Sequence, residues 1–266
     1  MIKSLFIEFK FGDQAFSELG SSGANHLIVA QKPLNKERWQ KLKNFGATLA
    51  ISVSAFDYGG CPANSQSLRV LTQRVKKALG FSPKQIWLDH FRFDGHWEAI
   101  QGARIPGVHK ECEWCQGKDR AKILAGVAEK VVNLVGKRAG VGYFAVPFKS
   151  KKIPQLVFGL GQDHGILGRI FDFSSPMLYH RMIKKPVSYI SEYVKWIFQK
   201  TRKPVLPIIQ VKDMPDDLPD RLFGEEIGQA FSEARKPPAK GVAFFSWDHA
   251  VEKGKTRLVK ELFWGT

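Results

Sequence analysis

Cysteine is scarce in this 266-residue chain, with only Cys61, Cys112 and Cys115. Three thiols cannot form the disulfide framework of a small secreted scaffold. Long apolar runs are missing as well. No stretch approaches the roughly 18 consecutive apolar residues of a membrane helix, so no membrane partner is expected. After Lys3 the chain offers only Leu5-Phe6-Ile7, too little for the core of a secretory signal. A soluble, cytoplasmic protein is the expectation, and export of a processed form stays compatible with it. There is no G-x-G-x-x-G after the first apolar segment and no P-loop, which argues against a nucleotide-binding open sheet. No cofactor is expected. Short-period repeats and low-complexity segments are also lacking. Acid is short relative to base: 25 Asp and Glu stand against 41 Lys and Arg, a formal charge of +16. Such an excess favours acidic partners. It is spread over pairs such as Lys76-Lys77, Lys151-Lys152 and Lys184-Lys185, which weakens a nucleic-acid reading.

What is present is alternation. Apolar segments at 4–11, 26–31, 48–56, 86–88, 140–148, 173–179, 205–211 and 241–247 read as strands. Between or after them, helical patterns occupy 35–45, 66–79, 118–138, 163–170, 187–199, 221–235 and 256–263. The helix at 66–79 puts Leu68, Leu71, Val75 and Leu79 inside and Arg69, Arg74, Lys76 and Lys77 outside. That at 118–138 carries Ile123, Val127, Val131 and Leu134 on one stripe, and Asp163 suits a helix N-cap. Strictly alternating strand and helix imply a parallel sheet. About eight such units in a chain of this length favour a closed ring, so residues 1–266 are expected to form a single (β/α)8 TIM-barrel domain.

The stretch Trp87–Glu98 (WLDHFRFDGHWE) organises the functional reading. A buried strand runs straight into Asp89, Arg92, Asp94, His96 and Glu98. That much charge is costly unless it lines an open rim or takes part in chemistry. In a barrel, function gathers at the carboxyl ends of the strands. The residues expected there are Glu8, Gln31, Asp57, Asp89, Arg92, Tyr143, Tyr179, His180, Gln210, Trp247 and Asp248, with His96 and Trp97 beside them. Aromatic faces stack on sugar C–H surfaces, while carboxylates and amides bind hydroxyl groups, so a carbohydrate is the expected partner. Hydrolysis of a glycosidic bond needs two carboxyl groups flanking it. Asp89 and Glu98 are the first pair, with Asp94 and Asp248 in reserve, and Arg92 is expected to hold one carboxylate ionised.

The segment Asp89-His90-Phe91-Arg92-Phe93-Asp94 resembles the strand-four motif of α-amylase-like barrels, in which an Asp two residues after an Arg is the nucleophile. The resemblance thus implies that role for Asp94. A wider pattern is similar to a group of TIM-barrel glycoside hydrolases distantly related to the amylases. It comprises the Leu-Asp…Arg…His-Trp-Glu segment, Gly161-Gln162-Asp163, Asp172, the run from Ser175 to Met182 (SPMLYHRM) and a last strand ending in Trp247. It covers most of the chain from about residue 85 onward. Departures are plain: where an amylase has a Glu at the end of the fifth strand, this chain offers only Tyr143, and the seventh strand has Gln210 in place of Asp. Glu98 is therefore the candidate for the second carboxylate.

His109, Cys112 and Cys115 match at most half of a zinc site, with Cys61 or His96 needed from afar, and no metal is assigned. Trp39, Trp196 and Trp264 fall on helical stripes and are expected in the core. Two other classes compete with a hydrolase: a non-catalytic glycan-binding barrel, and a basic protein that binds nucleic acid or an anionic surface.

Overall fold

In the computed structural model the apolar segments pair into one parallel sheet. The structure describes residues 1–10, 16, 18–56, 60–93, 112–149, 155–214 and 219–265. Its strands are β1 (Ile2–Ile7), β2 (His26–Ala30), β3 (Thr48–Ser54), β4 (Gln85–Asp89), β5 (Gly140–Ala145), β6 (Phe173–Pro176), β7 (Ile208–Gln210) and β8 (Gly241–Phe245). Neighbours in the sheet run β6-β5-β4-β3-β2-β1-β8-β7. The two outer strands meet: Ser174 bridges to Val205 and Met177 to Ile208, both parallel, and Leu178 N donates to Ile208 O at 2.8 Å. The sheet thus comes back on itself as the expected α/β barrel. The β6–β7 seam is thin because Pro204 and Pro207 carry no N–H to donate to a ladder. For the same reason β7 is shorter than the apolar segment 205–211.

The helices α1 (Lys36–Lys43), α2 (Ser65–Leu79), α3 (Arg120–Val135), α4 (Gln155–Leu160), α5 (His164–Ile170), α6 (Tyr189–Thr201), α7 (Gly224–Ala234), α8 (Trp247–Glu252) and α9 (Thr256–Trp264) complete the fold. Several begin where a side-chain oxygen takes up an orphan backbone N–H. Asn35 accepts from Arg38 N, Asn64 from Gln66 N, Asp119 from Lys122 N and Asp163 from Ile166 N. On α3 the buried stripe is Leu124, Val127, Ala128, Val131 and Val135, while Ile123 and Leu134 lie at its margin, half-buried. Trp39 is buried and Trp196 half-buried as expected. Trp264 is not: it is 69% exposed, with its indole N–H donating to Ser21 O.

Two-residue periodicity divides the strand side chains into two layers. Phe6, Ile28, Ala50, Trp87, Phe144, Leu206, Ile208 and Ala243 fill the barrel interior. The alternate residues, such as Leu5, Ile7, Val29, Ile51, Leu88 and Tyr143, pack outward under the helices. At the amino-terminal end of the barrel, Ser4 Oγ, His26 and Gln85 form a chain of hydrogen bonds of 2.8–2.9 Å, and the Trp87 indole donates to Gln85 at 3.0 Å. The polar groups there are mutually satisfied, which leaves the opposite end for chemistry.

Candidate active site at the barrel mouth

Parity fixes which strand-end residues turn inward. Phe6 and Trp87 belong to the interior layer, so Glu8 and Asp89, two residues further on, share that face at the carboxyl end. Gln210 follows Ile208 in the same way. Tyr179 packs in the interior cluster itself, with its ring 5.5 Å from that of Phe245. Glu8, Asp89, Tyr179 and Gln210 are therefore brought to one mouth.

The turn after β1 is held from β8. Asp248 accepts the backbone N–H of Glu8 and of Lys10, both at 2.7 Å, and Phe9 between them has φ 61°. Ser246 Oγ donates to Glu8 Oε2 at 2.8 Å, Lys10 Nζ lies 3.3 Å from Oε1, and His249 Nε2 lies 3.6 Å from Oε2. Burial lifts the Glu8 carboxyl above its ordinary value, against the pull of Lys10 and Ser246, and the charge of Asp248 adds to the lift. The Glu8 side chain is 18% exposed and that of Asp89 29%, so Glu8 is the drier of the two. Asp89 accepts His90 N at 2.7 Å and lies 3.5 Å from His90 Nδ1. Burial, then the charges of Asp89 and Glu8, push the Tyr179 phenol far above its usual range. Tyr179 therefore senses both carboxylates and stays a neutral hydroxyl. Gln210 is buried, its amide donates to Lys212 O at 2.8 Å, and its Oε1 has no hydrogen-bond partner among the described residues.

Other expected mouth residues go elsewhere. Tyr143 has the opposite parity to Phe144 and faces the helices, where its hydroxyl meets His164 Nδ1 at 2.9 Å and its ring packs on Phe171. Trp247 is not a strand end: Ser246 caps α8, accepting from His249 N, and Trp247 is fully buried in the outer core. The signal for that helix was present in Ser246 followed two residues later by Asp248. Asp248 is fully buried and braces the β1 turn. Gln31 donates to Arg74 O. His180 is buried with Nε2 2.8 Å from Glu226 Oε1; Arg181 bridges the same carboxylate at 3.0 Å and Asp213 at 2.8 Å. Arg92 is half-buried just beyond Asp89. Asp57, Asp94, His96, Trp97, Glu98 and His109 lie outside the described residues. Glu8 was expected at the mouth; missed at the sequence level were its character as a dry carboxyl and its Ser246 partner.

At the rim, Arg181, Asp213, Met214, Pro219 and Arg221 line a cavity of about 460 Å³. Met214 also packs against the interior cluster that contains Tyr179.

Neither a sequence-family model nor a curated protein sequence matches the chain. Solved structures do match it. The PgaB (BpsB) glycoside hydrolase domain from Bordetella bronchiseptica superposes with a TM-score of 0.69 at 10% identity, over 99% of each chain. A chitinase from Chromobacterium violaceum gives 0.64 at 12% identity, over 98% of each chain. The spore cortex-lytic enzyme SleL of Bacillus cereus gives 0.60 at 9%, over 98% of this chain and 74% of that one. The likeness is one of fold. These structural neighbours of the barrel are glycoside hydrolases or lytic enzymes by name.

Proposed function

We propose that the chain is a glycoside hydrolase working at this mouth, with Glu8 as the general acid and Asp89 as the carboxylate that attacks the anomeric carbon or activates water. A fold by itself carries no activity. The observation that supports the reading is Glu8: a carboxyl group held inward at a strand end, with its pKa raised by burial, is what protonation of a leaving glycosidic oxygen requires. Tyr179 and the open carbonyl of Gln210 suit sugar hydroxyls. Asp94 and Glu98, which follow β4 in sequence, enter as alternative partners of Asp89. The charge of +16 favours an acidic or partly acidic glycan.

The test is hydrolysis of chitin and uronate oligosaccharides, read by product chromatography, by wild type beside Glu8→Gln, Asp89→Asn and Glu98→Gln. Loss of about 100-fold or more in Glu8→Gln and Asp89→Asn is expected. Equal activity in all four proteins would overturn the assignment, and saturable glycan binding without turnover would favour a binding barrel.

A further inference from the structure

The sequence separates Cys61 from the Cys112-x-x-Cys115 pair, but the fold does not. The ligand sulfurs of Cys61, Cys112 and Cys115 all lie within 4.8 Å of one another. None of the three is in a disulfide among the described residues. Each half of the cluster is a short hydrogen-bonded turn: Cys61 O accepts Asn64 N at 2.9 Å, and Cys112 O accepts both Cys115 N at 3.2 Å and Gln116 N at 2.9 Å. The second turn doubles the C-x-x-C back on itself. Cys61 and Cys115 are buried beside Phe93, with Ala63 and Ile123 packed around them, while Cys112 is half-buried. Over the Phe93 ring sits the Arg120 guanidinium, 5.2 Å from the centroid.

We infer that these three cysteines form a zinc site. Zinc–sulfur bonds of about 2.3 Å in tetrahedral geometry set neighbouring sulfurs roughly 3.8 Å apart, so the cluster needs to tighten by no more than about 1 Å along an edge. Thiolates are the soft donors that zinc prefers over oxygen. On binding, the three thiols become thiolates and release their protons to solvent, and the fourth position of the ion is left for water or a further donor. A single disulfide would use two of the sulfurs and leave the third with no role.

The site lies where it can brace the mouth. Cys61 belongs to the loop after β3. Phe93 and Cys112 flank segment 94–111, which carries Asp94 and Glu98 in sequence, and both pack in the same small cluster. The ion therefore ties the base of that segment to the neighbouring loop and lowers the entropy cost of closing it. This inference stands apart from the hydrolase reading.

The experiment uses the full chain purified without chelator from zinc-supplemented medium, with zinc measured by mass spectrometry. About one zinc per chain is expected, falling to near none in Cys61→Ser and Cys115→Ser. To keep the result independent of whether the variants fold, apo wild type is titrated with Co²⁺ alone. A thiolate-to-cobalt charge-transfer band with the visible bands of tetrahedral cobalt supports the site, as does slow alkylation of the three thiols that zinc removal accelerates. Folded wild type that retains no zinc and gives no such band overturns it, as does a Cys112–Cys115 disulfide in the protein as isolated.

Discussion

Asp248 accepts the backbone N–H groups of Glu8 and Lys10, each at 2.7 Å. A side chain from the start of α8 thereby does for the end of β1 what the next strand can no longer do. It sets the direction in which the Glu8 carboxyl leaves the strand. Both bonds are charge-assisted and Asp248 is fully buried, so removing the carboxylate strands two donors.

Asp248→Ala is therefore expected to lower unfolding free energy by about 3 kcal/mol, and Asp248→Asn by less, since one oxygen remains. Urea denaturation at pH 7 measures both. A change below about 0.5 kcal/mol in the alanine variant, the level of an ordinary surface substitution, would show that the turn holds without this brace.

Glu8 should be a site where stability and activity pull apart. Its folded pKa is raised, so it contributes stability below its unfolded value, and that contribution is lost as pH rises through the folded pKa. Glu8→Gln replaces a carboxyl whose ionised form burial penalises and is expected to raise the melting temperature on the alkaline side of the folded pKa, while removing hydrolysis. If Glu8 is the acid, wild-type rate falls as pH rises through that same pKa, and Asp248→Asn moves the fall to lower pH by withdrawing a neighbouring negative charge. A melting temperature lowered by Glu8→Gln would contradict the burial argument.

His164 couples the outer core to acid. Burial holds its imidazole down at about 4, and it sits between the hydroxyls of Tyr143 at 2.9 Å and Tyr193 at 3.3 Å. From pH 6.5 down to about 4 the unfolded chain takes up a proton that the folded chain refuses, so stability falls with pH across that window. The full difference is about 3 kcal/mol. His164→Gln should remove that part of the slope, measured as the urea midpoint at several pH values; parallel profiles for variant and wild type would refute it.

Gly142 leaves the barrel interior no spare room. A Cβ there would come within 2.5 Å of the Phe173 ring and 2.9 Å of Trp87. Gly142→Ala is expected to cost about 1–3 kcal/mol through overpacking. Thermal unfolding of the variant tests it, and an unchanged midpoint would mean that the two rings shift freely.

The sequence by itself determined the alternation of strand and helix, the cap at Asp163, and the ring of parallel strands. These depend on local periodicity and on side chains a few residues away, which the linear order records. The inward turn of Glu8 and Asp89 was also legible in part, since it follows from counting by twos from Phe6 and Trp87. The same count could have sent Tyr143 outward, had the inner face of β5 been known. Only the tertiary structure decided that Asp248 braces a turn, that His180 is tied to Glu226, and that Cys61 meets Cys112 and Cys115. Each of these relations joins segments distant in sequence. Their geometry is set by how strands register around a closed barrel, and no local pattern of residues encodes that.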